Sequence, residues 1–268
     1  MTPKLRTAAA LLAFAFAAPA LAQEAPMVPS PTWDGIRVDV VGDGPILDGA
    51  GLFRLEAPAR AEDAAIVPVH ITQAEGTPTI TRLTLVVDEN PAPVVAVFDF
   101  GPAMGPVDLE TRVRVNAYSN VRAIAETADG RRYMTGRHVK AAGGCSAPAS
   151  KDAAAALAAL GKMKTRWFDA APSEPGARRE AQVMLRHPNY SGLQRNQVTH
   201  LFVPANFVNL LEVRQGAELL FSMEGGISIS EDPTFRFRYT DSSQGEALEV
   251  HATDTDGRVF DASFPLGS

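Results

Sequence analysis

The chain has 268 residues, and its 31 acidic side chains outnumber its 25 basic ones to give a formal net charge of −6. This mild acidity argues against a nucleic-acid partner, because nucleic-acid binding calls for a basic face. The length suits one large domain or two ordinary ones. The single cysteine, Cys145, cannot form an intramolecular disulfide, so it is an inert core residue, an intermolecular link or a reactive thiol.

The N-terminus has the pattern of a secretory signal peptide. Lys4 and Arg6 precede the small apolar residues 7–18, and Ala20-Leu21-Ala22 forms a cleavage site. We therefore expect a periplasmic protein cleaved after Ala22. The alternative is a retained anchor, although the apolar run is shorter than the about 20 residues that a spanning helix needs. No membrane span is expected after cleavage.

The first half of the chain is dominated by short β-branched runs. A Pro-rich stretch at 23–34 is expected to be extended, and Asp129-Gly130 between two strand-like runs predicts a hairpin. In the run at 109–118, Val113 and Val115 alternate with Arg112 and Arg114. The predicted strands are 65–71, 79–88, 94–100, 109–118, 120–127 and 131–139.

A helix is predicted over 150–164, with Ser150 as N-cap, Asp152 in the first turn and an Ala/Leu run of high helix propensity. A turn-rich stretch at 169–177 separates it from a second β-rich half. There, Asp256-Gly257 predicts another hairpin, and the glycine-rich segment 224–233 is expected to be a turn rather than an anion-binding loop. The predicted strands are 181–186, 200–203, 209–215, 217–223, 234–240, 247–254 and 258–264, with Phe235, Phe237 and Tyr239 as core residues.

These patterns predict an all-β fold: two immunoglobulin-like β-sandwich domains joined by a Gly-Cys segment and one short helix. Strands and helices do not alternate along the chain, so a parallel sheet is not expected. After the signal peptide at 1–22, we expect a first sandwich at 35–142, a cysteine segment with helix and linker at 143–176, and a second sandwich at 177–268.

The cysteine stands in a segment of small residues. Gly143 and Gly144 precede Cys145, and no large apolar side chain lies close by, so we expect a mobile, exposed loop with the glycines as a flexible tether. The N-terminal dipole of the predicted helix, with Lys140 and Lys151, would favour the thiolate. An inert buried cysteine is the plainer alternative.

Catalysis by this thiol would require a base, usually a histidine. His138, seven residues before Cys145, is the nearest in sequence, and the others are His70, His187, His200 and His251. Zinc and c-type haem sites need more cysteines, and a blue-copper site needs His and Met soon after the cysteine, where Ser146, Ala147 and Pro148 stand. No metal ligand set and no catalytic residue is predicted.

Two long stretches resemble a known pair of proteins. Residues 35–145, with "TRVRVNAYSNVRAIAETADGRRYMTGRHVKAAGGC", resemble SoxY, the sulfur-carrier subunit of the thiosulfate-oxidising Sox system. Residues 181–264, with "HLFVPANFVNLLEVRQGAELLF" and "GGISISEDPTFRFRY", resemble its partner SoxZ. The fused order is similar to SoxYZ-like carriers associated with quinoprotein alcohol dehydrogenases.

The resemblance implies that Cys145 is a carrier thiol holding sulfur intermediates covalently, with Gly143 and Gly144 as its flexible tether. No resident cofactor is implied, since a sulfur adduct on Cys145 would be cargo. SoxY ends as Gly-Gly-Cys-Gly-Gly, whereas Ser146 and Ala147 stand here in place of the last two glycines and the chain continues. The cysteine is therefore on a loop held at both ends.

Three functions follow as hypotheses. The first is a periplasmic, non-enzymatic carrier that presents a sulfur-containing group on Cys145 to enzymes of sulfur oxidation or of a quinoprotein dehydrogenase system. The second is a scaffold that binds a periplasmic quinoprotein dehydrogenase system, with an incidental cysteine. The third is a thiol enzyme or redox sensor, which needs a histidine within hydrogen-bond reach of Cys145.

Overall fold

The computed structural model describes residues 25–148, 153–168, 176–196, 199–241 and 246–266. The predicted signal peptide and its cleavage site lie outside these residues. In the first half, helix α1 spans Pro31–Val41 and is followed by strands β1 Leu47–Asp48, β2 Phe53–Glu56, β3 Val67–Gln73, β4 Ile80–Val87, β5 Val94–Phe100, β6 Asp108–Val113, β7 Ser119–Thr127 and β8 Arg132–Val139.

The second half begins with helix α2 at Ala153–Ala158 and contains strands β9 Met163–Trp167, β10 Arg178–Leu185, β11 Val208–Gln215, β12 Glu218–Gly225, β13 Thr234–Thr240, β14 Leu248–Asp254 and β15 Val259–Phe264. The all-β class is confirmed. Both Asp-Gly hairpins are also confirmed, because β7 pairs with β8 and β14 with β15 in antiparallel register.

Two local predictions are wrong in part. The stretch 23–34 is predicted to be extended, but Pro31–Val41 is helical, with the Ser30 side chain as N-cap accepting from the Trp33 amide. Pro31 at the first helical position suits its fixed φ. The helix predicted over 150–164 is described only at Ala153–Ala158, and Met163–Trp167 is a strand paired with β10. Ser150 and Asp152 lie outside the described residues.

The two halves share both of their sheets. The nine-stranded sheet has the order β1-β8-β7-β4-β5-β12-β11-β14-β15, and the six-stranded sheet has the order β2-β3-β6-β13-β10-β9. Antiparallel pairing of β5 with β12, and of β6 with β13, carries each sheet from the first half into the second. Each half is thus an immunoglobulin-like sandwich whose inner edge strands are paired with those of the other half.

One apolar core fills the space between the sheets across both halves. The ring centroid of Phe98 on β5 lies 6.4 Å from that of Phe221 on β12 and 6.2 Å from that of Phe235 on β13. The predicted aromatic stripe is confirmed as core, since Phe235, Phe237 and Tyr239 are all buried. Backbone pairing and shared core together fix the relative position of the halves, and with it the site described next.

Candidate functional site

The segment that carries the cysteine, residues 143–147, leaves strand β8 and runs beside the chain just beyond β6. The Gly143 amide donates to the Asn116 carbonyl at 2.8 Å, and the Gly144 amide donates to the Val115 carbonyl at 3.0 Å. We call residues 143–147 the carrier segment. Two backbone hydrogen bonds therefore dock it against the first half of the molecule.

The two glycines before the cysteine differ in their surroundings. Gly143 has φ +81°, which favours glycine, and a Cβ at this position would meet nothing within 4 Å. At Gly144 a Cβ would lie 2.0 Å from the Ala64 carbonyl oxygen and 2.7 Å from that of Val115. Gly144 is thus required by close packing of the docked segment, whereas Gly143 stands in open space. Their role as a tether stays a prediction.

Cys145 itself is fully buried, with 0 % of its surface exposed. The expectation of an exposed loop is wrong for this state of the molecule, and the reason is tertiary. Residues of the second half cover the segment: the Ser191 hydroxyl donates to the Cys145 carbonyl, and Gln194 Nε2 donates to the Ala147 carbonyl at 3.1 Å.

Both covering side chains belong to the connection between β10 and β11. Residues 190–196 and 199–206 of this connection, which we call the covering hairpin, run antiparallel, with bridges at Tyr190–Asn206 and Arg195–Phe202. The side chains of Ser191 and Gln194 are buried on the inner side of this hairpin. The cysteine therefore lies in a socket between the two halves.

Arg114 lies beneath the socket and is 1 % exposed. Its Nη1 donates to the Gly144 carbonyl and its Nη2 to the Asn189 carbonyl, both at 3.2 Å, so one guanidinium joins the carrier segment to the second half. The alternation at 109–118 places Arg114 on the face opposite Val113, and in the folded chain that face is covered. Its buried Nε has no hydrogen-bond partner among the described residues.

Burial raises the pKa of the Cys145 thiol, against the opposing effects of the Arg114 charge and a hydrogen bond with Ser228. The prediction that local positive charge and a helix dipole favour the thiolate is therefore wrong for the docked segment. Desolvation disfavours the charged form, and this effect outweighs that of the Arg114 charge. Lys151 lies outside the described residues, in which α2 spans Ala153–Ala158.

Ser228 comes from the glycine-rich stretch at 224–233, which connects β12 to β13 as a turn, as predicted. The Arg114 amide donates to the Ser228 carbonyl at 2.8 Å, and Asn90 Nδ2 donates both to Ser228 Oγ at 2.9 Å and to the Arg114 carbonyl at 2.7 Å. Sequence reasoning missed Arg114, Ser228, Asn90 and Ser191, because their roles depend on contacts between halves. The alternation at 109–118 places Arg114 opposite the valines and gives no signal that this face is buried.

Four of the five histidines have side-chain partners elsewhere. His70 contacts Asp108 at 2.7 Å, His138 contacts Asn120 at 3.4 Å, His187 contacts Asp254 at 3.3 Å and His251 contacts Asp261 at 2.7 Å. Among the hydrogen bonds of the described residues, none joins a histidine to the Cys145 thiol. The hypothesis of a thiol enzyme thereby lacks the base on which it depended.

In the part of the chain that the structure describes, no group of three His, Cys, Asp or Glu side chains is placed to hold a metal ion. No helix within those same residues is long and apolar enough to cross a membrane.

Comparison with known proteins identifies both halves. Residues 37–145 match the family model of the sulfur oxidation protein SoxY, and residues 166–265 match that of the sulphur oxidation protein SoxZ. The chain is a fused SoxYZ-like protein. The SoxY match ends at Cys145, the residue that the covering hairpin buries. Both family descriptions connect the SoxYZ-like chain with sulfur oxidation.

The sulfur carrier protein SoxY from Chlorobium limicola f thiosulfatophilum is among the similar solved structures. It is 28% identical, over 41% of this chain and 94% of its own, with a TM-score of 0.35. A beta-glycosidase from Bacteroides vulgatus is 8% identical, over 80% of this chain and 24% of its own, with a TM-score of 0.25. A search of curated proteins found no match.

Proposed function

We propose that the SoxYZ-like chain carries a sulfur-containing group covalently on Cys145 and presents it to partner enzymes of sulfur oxidation, without catalysing a turnover itself. One observation carries the proposal: the single cysteine of the chain ends the SoxY match and is held in a socket built by both halves. A carrier thiol needs both a protected resting place and a means of leaving it.

The contacts that hold the carrier segment are of a kind that can open. Apart from burial of the thiol, the segment is held by hydrogen bonds to its backbone from Arg114, Ser191 and Gln194 and by the two backbone bonds that its glycine amides donate. Each such bond contributes about 1 kcal/mol net, because water replaces it on opening. Gly143, with open space around its Cα, supplies a hinge at the point where the segment leaves β8.

The chemistry of loading sets what the partner must supply. When the Cys145 thiolate takes the outer sulfur of thiosulfate, a persulfide and sulfite form without net oxidation. When the thiol is joined to the whole thiosulfate ion, one proton and two electrons must leave, so a partner must provide a two-electron acceptor. Both routes need the thiolate, which burial disfavours, so loading is expected from the opened segment.

Periplasmic placement is part of the proposal. It is supported by the signal-peptide pattern of residues 1–22, with cleavage after Ala22, and by the usual location of Sox proteins. The partners proposed are enzymes of sulfur oxidation, as the two family matches suggest. Association with a quinoprotein dehydrogenase system rests on the fused order alone and gains no support from those matches.

A scaffold is the second candidate, favoured by the full burial of Cys145, which an incidental cysteine would also show. The test is the intact mass of the protein purified from its native source, with and without reductant, alongside Cys145→Ser. A carrier shows reductant-sensitive increments of sulfur or sulfur-oxyanion size on the Cys145 peptide, and Cys145→Ser abolishes sulfur oxidation. A bare thiol and a fully active Cys145→Ser strain would refute carriage in favour of the scaffold.

A further inference from the structure

The covering hairpin has its polarity reversed relative to an ordinary surface hairpin. Its buried side chains include the polar Ser191 and Gln194, which hold the carrier segment. Its exposed side chains include the large apolar Leu193, Leu201 and Phe202, which are 37 %, 69 % and 59 % exposed. Single exposed apolar residues are ordinary, but a cluster on one loop marks an interaction surface.

The outer face is ordered by its own pairing. Arg195 stands opposite Phe202 in the hairpin, and its guanidinium lies 4.6 Å from the Phe202 ring centroid. Leu193, two residues before Arg195, is also exposed. Aromatic residues and arginine are enriched at the centre of protein interfaces, and Phe202 and Arg195 are such a pair.

The charge of this region differs from that of the whole chain. No Asp or Glu occurs from Arg186 to Phe207, whereas the chain as a whole has a net charge of −6. The ionisable side chains exposed on the covering hairpin are Arg195 and His200. A complementary surface therefore combines an apolar recess with an acidic rim.

We propose that the outer face of the covering hairpin, formed by Leu193, Arg195, Leu201 and Phe202, docks a partner protein with an apolar recess and an acidic rim, and that this partner thereby gains access to Cys145. The inference rests on the proposed function and names the surface that function uses. The same short hairpin holds the carrier segment on its inner side. A partner that binds the outer side and shifts the hairpin breaks the hydrogen bonds from Ser191 and Gln194.

The test uses the full chain, the double variant Leu201→Ser/Phe202→Ser and the control Val38→Ser, which changes an exposed side chain on α1. Each is incubated with thiosulfate and periplasmic extract of the source organism, and the mass of the Cys145 peptide is followed. The unaltered chain and the control are expected to load alike. The double variant is expected to load at least about tenfold more slowly, with unchanged melting temperature and iodoacetamide reactivity.

Three results would overturn the inference. If the double variant loads as fast as the unaltered chain, the proposed docking surface is refuted, while the carrier function is unaffected. A dimer of the unaltered chain by light scattering that the double variant loses would show that a second copy occupies the face. Absence of loading in the unaltered chain would remove the proposed function and this inference with it.

Discussion

At the scale of single residues, the central feature is a thiol stored in its protonated form. Burial raises the pKa of Cys145, although Arg114 lies close by. Arg114 is itself buried, and its bonds go to the carbonyl groups of Gly144 and Asn189. The guanidinium therefore holds the carrier segment in position, and its charge opposes the rise in the pKa of the thiol.

Because only the thiolate is alkylated, the docked thiol should react slowly. We expect iodoacetamide to modify native Cys145 more slowly near neutral pH than in the urea-unfolded chain, because burial raises the pKa of the thiol and also shields the sulfur from the reagent. The measurement is the alkylation rate against pH in both states. A native rate equal to the unfolded rate would show that the segment is open in solution.

His187 gives a prediction of pH dependence. Burial lowers the pKa of His187, and its Nδ1 accepts from the Asn189 amide at 3.0 Å. The unfolded chain takes up the proton near the ordinary value of about 6.5, so this contribution to stability is complete above about pH 6.5 and is lost as the pH falls toward the lower native pKa.

His187→Gln should remove that loss. We expect the decrease in unfolding free energy between about pH 7.5 and about pH 5.5 to be smaller in His187→Gln, by about 1.4 kcal/mol per unit of pKa shift removed. Urea unfolding at both pH values measures it. The control is His251→Gln, on an exposed histidine paired with Asp261. An unchanged difference in His187→Gln would contradict a neutral buried histidine.

At the scale of elements, the carrier segment and the covering hairpin form one unit. Gly144 is packed against the Ala64 and Val115 carbonyl groups, whereas Gly143 faces open space. A substitution at Gly144 therefore tests docking of the segment, whereas a substitution at Gly143 tests backbone conformation alone. They form a matched pair for mutation.

Gly144→Ala should undock the segment, because its Cβ would lie 2.0 Å from a carbonyl oxygen. We expect alkylation of Cys145 to become at least about tenfold faster, while Gly143→Ala changes it little and costs about 1 kcal/mol for its positive φ. Alkylation rates at fixed pH and thermal melts distinguish the two. Equal rates for Gly144→Ala and the unaltered chain would mean that the segment stays docked despite the clash.

At the scale of the whole molecule, the sandwiches of the two halves are joined into one continuous structure. Both sheets cross the junction, at β5–β12 and β6–β13, and the aromatic rings of both halves share one core. Edge strands left unpaired expose backbone groups, so neither half is complete alone. The halves are therefore expected to unfold together.

The two tryptophans allow a direct test. Trp33 packs in the first half with Val86 and Ile124, and Trp167 packs in the second half against the main core. Single-tryptophan variants made with Trp33→Phe and Trp167→Phe should show coincident urea transitions by fluorescence, as one cooperative unit requires. Separate midpoints for the two probes would show that the halves unfold independently.

Much of this protein follows from its sequence. Alternation and Asp-Gly turns predict the β-strands and hairpins, since period-two patterning and positive-φ turns are local properties. The lone cysteine, its glycines and the resemblance to SoxY and SoxZ predict a carrier. Helix α1 was missed although Ser30 as N-cap and Pro31 at the first helical position are local signals, whereas strand β9 was missed because it is held by pairing with β10.

Only the tertiary structure decided the state of the thiol. Small residues around Cys145 predict exposure, yet the covering hairpin comes from a part of the chain about fifty residues away and buries it. Burial then reverses the expected direction of the pKa, since desolvation depends on every group packed around the sulfur. Local sequence determines strands and turns, whereas the environment of a buried group is set by the distant segments that the fold brings against it.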